Sequence, residues 1–272
     1  MADVAVITLA SVAGAPGVST SALGLALAWP RDVLLADCDR DPAQTIPAGY
    51  LRGTDLGGRG LGQLAAVHRE HRRLAEEIWL QTVRLDGGER DRRFLPGFTH
   101  PGAVGLFGPI WQELADSFVA LGASGTDVLV DAGRVGRDGL PGPLLMTSDV
   151  LLVTVRSSLR ALAALRLHLP AVQAQLEALA AHAELALLVV GPGKPYSGAE
   201  IEKQFGLPAR YSIAWEPKQA RVFSDGAKPS RGLAGGSLVR SYRACSSRLA
   251  ESVQRRTEVV AGTRPSVEWG AR

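Results

Sequence analysis

The sequence predicts an α/β protein with a doubly wound, mostly parallel central sheet flanked by helices. Three observations carry this. Short runs of continuous apolar character recur at residues 4–9, 33–36, 127–131, 150–155 and 185–190, and strands apolar on both sides belong to parallel sheets covered on two faces. Helix-forming stretches separate them, in the strand–helix–strand order of crossover units. The length of 272 residues, with 46% of them hydrophobic, suits one large α/β domain.

Residues 4–29 set the pattern. An apolar run leads through Gly14, Ala15, Pro16, Gly17 and Val18 into Ser19, Thr20 and an apolar helix. Glycine lets the backbone turn inward without a Cβ in the way, and a helix starting behind such a turn aims free N–H groups at an anion. These residues form a loop shaped to hold a phosphate. The usual loop of this kind ends Gly-Lys-Ser/Thr, whereas Val18 stands in the lysine position here.

The helix expected at 19–29 ends at Pro30, and the strand at 33–36 stops at Asp37-Cys38-Asp39. Residues 46–101 are richer in Gly, Arg and His, with one helical pattern at 61–80 and a short strand at 93–95. They read as an elaborated crossover inside a single domain spanning 1–256. A helix at 107–121 leads to the strand ending at Asp131. The long Leu/Ala stretch at 159–182 is a helix in which Pro170 should make a kink or a break. A helix at 199–205, a short strand at 209–213 and a helix at 237–255 follow, and 257–272 read as a flexible tail.

Composition narrows the class. Two distant cysteines, Cys38 and Cys245, fit a reducing cytoplasm better than a disulfide framework. The N-terminus lacks the basic region of a signal peptide, and no apolar run approaches the roughly 18 residues of a membrane span. The formal charge is +3, but residues 200–256 hold eleven Lys/Arg against five Asp/Glu. That third could meet an anionic surface such as DNA.

In an open parallel sheet, ligands bind where the strands end. Asp37, Asp39 and Asp131 all sit at such ends, beside the phosphate-type loop. Their chemistry is coherent: Ser19, Asp37 and Asp131 are candidate Mg²⁺ ligands, directly or through water, and Asp39 could orient an attacking water. A single strand-ending Asp is more often a turn former. Three around one loop point to a nucleotide site.

The loop 13–20, the pair Asp37 and Asp39, the apolar run to Asp131, the strand after Asp149 and the segment 198–208 occur in one order and spacing. Trp215-Glu216-Pro217 and Ser224-Asp225-Gly226 follow. Together these resemble the deviant-Walker P-loop ATPases that include ParA, MinD and the pilus-assembly proteins TadZ and CpaE, over most of the chain. The resemblance implies a P-loop fold, ATP and Mg²⁺ as ligands, a homodimer, and a protein partner in a positioning or secretion system. Two departures stand out: Ala13 replaces the family's signature lysine, and Val18 the lysine that neutralises the phosphates. Arg40, Arg134 and Arg156 are the nearby candidates to replace that charge. Val190-Gly191-Pro192 also stands where the family has an adenine-contacting Asn. The implied function is a positioning or scaffold protein with weak or absent hydrolysis, closest in character to TadZ and CpaE. The alternative is a DNA-partition ATPase using its basic C-terminal third.

Overall fold

The computed structural model describes residues 5–12, 17–122 and 124–262. Among these residues eight strands form one sheet: β1 (Val6–Ser11), β2 (Val33–Asp37), β3 (Val83–Arg84), β4 (Arg92–Leu95), β5 (Asp127–Arg134), β6 (Val150–Arg156), β7 (Glu184–Val190) and β8 (Tyr211–Ile213). Their order is β3-β4-β2-β5-β1-β6-β7-β8. All pairings are parallel except β3 with β4. The doubly wound α/β class is therefore correct.

Among the described residues ten helices surround the sheet: α1 (Val18–Leu27), α2 (Leu61–Arg69), α3 (Leu74–Glu77), α4 (Pro101–Leu106), α5 (Trp111–Gly122), α6 (Gly142–Thr147), α7 (Leu159–Ala178), α8 (Gly198–Phe205), α9 (Pro217–Ser224) and α10 (Ser237–Gly262). Two apolar layers result, as continuous apolar strands require. One buries Leu64, Leu114, Leu144 and Leu165 from α2, α5, α6 and α7 against Val128 and Val153. The other buries α1, α9 and α10 against Ile7, Leu129 and Leu152. Along a strand, successive residues alternate between these layers.

Helix α1 is sunk deepest. Gly24 makes this possible, because a Cβ there would overlap the ring of Tyr242 on α10. Tyr242 donates to the Thr20 carbonyl at 3.3 Å, and Ser246 donates to the Leu25 carbonyl at 2.9 Å. The start of α1 is thus located by its packing as well as by its loop.

Several expectations need correction. The single helix at 61–80 is instead α2, α3 and a 3-10 turn at Ile78–Gln81, with His71 between them at φ 57°. Of the kink or break expected at Pro170, the break does not occur: α7 runs as one helix through it, since the lost hydrogen bond is one of many in a 20-residue helix held by Leu165, Leu169, Val172 and Leu176. β5 continues past Asp131 to Arg134. Helix α10 reaches Gly262, beyond the expected tail boundary, and 263–272 lie outside the described residues. The crossover from 46 to 101 contributes β3 and β4 to the sheet edge.

One buried anchor ties the N-terminal end of the sheet. Asp127, fully buried, accepts from the Ala5 N–H at 2.9 Å, the Trp29 indole at 2.6 Å and the Arg31 guanidinium at 2.7 Å. Removing one partner of a buried charged network costs about 3–5 kcal/mol. Asp127→Ala should therefore lower the melting temperature by at least about 6 °C. A midpoint within a degree of the parent's would contradict this role.

Candidate nucleotide site

The loop-to-helix junction is built on Gly17, whose φ of 74° is left-handed, a conformation that favours glycine. Its carbonyl accepts from the Ser21 N–H at 2.8 Å, closing the first turn. No side chain caps α1, and its first turn carries no acid. The N–H groups of that turn are therefore left to point at an anion. Ser19 and Thr20 stand on this turn, both partly exposed. Val18 is 2% exposed and belongs to the apolar layer under α1, so the residue in the lysine position is used for packing. Gly14, Ala15 and Pro16 lie outside the described residues.

The carboxylates come together across the sheet. Asp37 and Asp131 are register partners on β2 and β5. Asp131 is fully buried; its Oδ1 accepts from the Gly133 N–H at 3.0 Å, while its Oδ2 is buried with no hydrogen-bond partner. Burial pushes the Asp131 carboxyl up to about 6, against the opposing pull of the Ser19 hydroxyl and the Gly133 N–H, with the Asp39 charge pushing further up. Burial, and then the Asp131 charge, raise Asp37 well above the usual carboxylate range. Asp39 is raised too, chiefly by burial, while Arg134 favours its charged form. The Cys38 thiol between them is pushed up by burial and by the surrounding carboxylates.

Two glycines make room. A Cβ on Gly97 would lie 2.7 Å from Asp37 Cγ, and one on Gly133, at φ 62°, would overlap the Asp39 carboxylate. Asp39 also turns its own loop, accepting from the Asp41 N–H at 2.9 Å.

Of the candidate replacement arginines, two are engaged elsewhere. Arg40 donates to the Gly139 carbonyl. Arg156 lies over the Trp215 ring at 3.7 Å, a cation–π contact with no local sequence signal. Arg134 remains beside Asp39. Next to Gly17 and Thr20 a cavity of about 300 Å³ is lined by Val190, Ile213, Trp215, Pro217, Leu238 and Tyr242. The apolar walls suit a flat ring better than a charged group.

The donor set fits Mg²⁺. An orphaned buried carboxylate oxygen next to a serine hydroxyl leaves most of an octahedral shell to water and phosphate oxygens, as this ion prefers. Among the described residues no cluster of three or more His, Cys, Asp or Glu forms an all-protein cage.

The chain has the fold of the ParA and MinD ATPases. A ParA family ATPase from Chlorobium tepidum superposes with a TM-score of 0.69 at 14% identity, covering 92% of this chain and 100% of that one. The MinC:MinD cell division complex of Aquifex aeolicus gives 0.67 at 16% identity, covering 91% and 96%. The septum site-determining protein MinD of Pyrococcus horikoshii, complexed with Mg-ADP, gives 0.64 at 14% identity, covering 94% and 98%. No protein-family model and no curated protein matches the sequence.

Asp131 generates a pH prediction. A carboxyl near 6 in the folded state titrates near 3.9 when unfolded, so the folded protein holds the extra proton between those values. The stability this contributes is complete below about pH 4 and is lost as pH rises through about 6. Asp131→Asn, isosteric with the protonated acid, should escape that loss and gain melting temperature relative to the parent between pH 4.5 and 7.5. Parallel melting profiles for the two proteins would overturn the assignment.

Proposed function

We propose that this chain is a ParA/MinD-like positioning or scaffold protein that binds ATP with Mg²⁺ at the α1 N-terminus and hydrolyses it slowly or not at all. The observation that carries this is the unpartnered Asp131 Oδ2, buried beside Ser19 at an uncapped helix start. In this reading Gly14, Ala15, Pro16, Gly17, Val18, Ser19 and Thr20 wrap the phosphates. Ser19 and Asp131, with Asp37 behind them, hold the ion through oxygen and water.

Mg²⁺ supplies positive charge to the phosphates, which is needed more here because Ala13 and Val18 replace two lysines. In this reading Asp39 orients a water; burial raises its carboxyl, and Arg134 is among the groups that favour its charged form. The cavity at Trp215 takes the base. The Mg-ADP bound by the Pyrococcus neighbour and the MinC partner of the Aquifex neighbour support nucleotide-linked recruitment of a protein. We further propose a homodimer, and a TadZ/CpaE-like role in pilus or secretion assembly, since a loop without its lysines suits a platform better than a motor.

The DNA-partition reading draws on the basic C-terminal third. Within it, Arg240, Arg243 and Arg248 donate to the carbonyls of Gly235, Ala234 and Arg210, and Arg256 pairs with Glu184 at 3.1 Å. This internal engagement favours the scaffold. Among the described residues no helix is long and apolar enough to cross a membrane.

Titration calorimetry tests the site. Mg-ATP should bind with a sub-millimolar Kd, and Ser19→Ala or Asp131→Asn should weaken it at least about tenfold, or 1.4 kcal/mol. Turnover should stay below about 10⁻² per second. Absence of heat at 1 mM nucleotide (about 4 kcal/mol of binding energy) would leave a scaffold without a nucleotide switch. A salt-sensitive shift of non-specific DNA would instead favour partition.

A further inference from the structure

The cavity of about 300 Å³ beside Gly17 and Thr20 has room for a ring but few groups that could read one. Away from its α1 end, the polar groups of the wall are largely taken up within the protein. The Tyr242 hydroxyl donates to the Thr20 carbonyl at 3.3 Å, and Glu216 Oε1 accepts from the Ser237 hydroxyl at 2.9 Å. The backbone is engaged as well. The Val190 carbonyl accepts from the Ser157 N–H at 3.0 Å, the Ile213 carbonyl from the Gly191 N–H at 2.7 Å and the Glu216 carbonyl from the Ala220 N–H at 2.9 Å. The Ala214 N–H donates to the Ser241 hydroxyl at 3.0 Å.

What the wall offers instead is the Trp215 indole, held from two sides. Arg156, at the end of β6, lies 3.7 Å from the ring centroid. Gly191, at φ 72°, lets the Trp215 stem close in, because a Cβ there would stand 2.7 Å from the Trp215 Cβ. Arg156 and Val190 are register partners on β6 and β7, so both supports stand on adjacent strand ends.

We infer that this pocket holds a purine by contact with Trp215 and does not tell adenine from guanine, with Arg156 as the residue that positions the indole. The inference rests on the proposed nucleotide site and widens its ligand from ATP to purine nucleoside triphosphates. Adenine carries an amino donor where guanine carries an oxygen acceptor. A site that hydrogen-bonds such an edge rejects the wrong ligand by roughly 10⁴–10⁵-fold, whereas an apolar pocket separates close analogues by only about 10²-fold. Stacking is indifferent to the edge, since every base presents a π face. The second Glu216 oxygen can accept an amino group, but both purines carry one.

Titration calorimetry with Mg-ATP, Mg-GTP and Mg-tripolyphosphate tests this. The two nucleotides should bind with Kd values within about tenfold of each other. Trp215→Ala should weaken both at least about fivefold and leave tripolyphosphate unchanged, while Trp215→Phe keeps most of the affinity. Arg156→Met, which retains the stem without the charge, should reproduce part of the alanine loss, and Arg156→Lys should recover it. Weaker tripolyphosphate binding by Arg156→Met would make the guanidinium a phosphate contact and overturn its positioning role. A preference beyond tenfold for either purine, or a Trp215→Ala protein that binds both as the parent does, would overturn the inference and leave the nucleotide site standing. Failure of both nucleotides to bind the parent at about 1 mM would remove the proposed site, and the inference with it.

Discussion

Three carboxylates are held at one end of a buried sheet with little positive charge among them, and the rest of the structure is arranged around that constraint. In a low-dielectric setting like charges resist ionising together, and here burial raises all three, with the Asp131 and Asp39 charges adding at Asp37, the Asp39 charge at Asp131 and the Asp41 charge at Asp39. What opposes the repulsion is weak and local: the Gly133 N–H and Ser19 hydroxyl at Asp131, the Asp39 N–H at Asp37, and Arg134 near Asp39. On the proposed function, the charge of a divalent ion would relieve this repulsion and allow a polyphosphate to approach. The helix dipole at the start of α1 adds a fraction of a charge in the same place.

Holding such groups together requires a rigid frame, and the two apolar layers supply it. Helix α1 is fixed by Tyr242 and Ser246 of α10, β2 and β5 by their shared ladder, and the sheet's other end by the Asp127 network. Val18 belongs to the same frame, 2% exposed within the apolar layer that holds α1.

Much of the fold was legible in the sequence. Every long parallel strand coincides with an apolar run, and α1, α5, α7, α8 and α10 coincide with helical patterns. The short strands β4 and β8 also fall at expected places. Other short elements were not legible: β3 has two residues, α6 has six, and the helix at 61–80 is interrupted by a positive-φ residue that no glycine announces. At the site, Asp37, Asp39 and Asp131 could be picked from strand-end positions, and Ser19 and Thr20 from the glycine turn that leads into α1. The Arg156–Trp215 stack and the accommodating glycines at 97 and 133 join residues dozens of positions apart, which periodicity cannot detect.

By itself, then, the sequence determined the layered parallel sheet and the edge at which chemistry would sit, because hydrophobic periodicity and strand-terminal residues are local properties of the chain. Only the tertiary structure decided the electrostatics of that edge. Whether an arginine stands beside a carboxylate, props up a loop or covers a tryptophan depends on where distant elements bring its head group, and Arg134, Arg40 and Arg156 divide those three places between them.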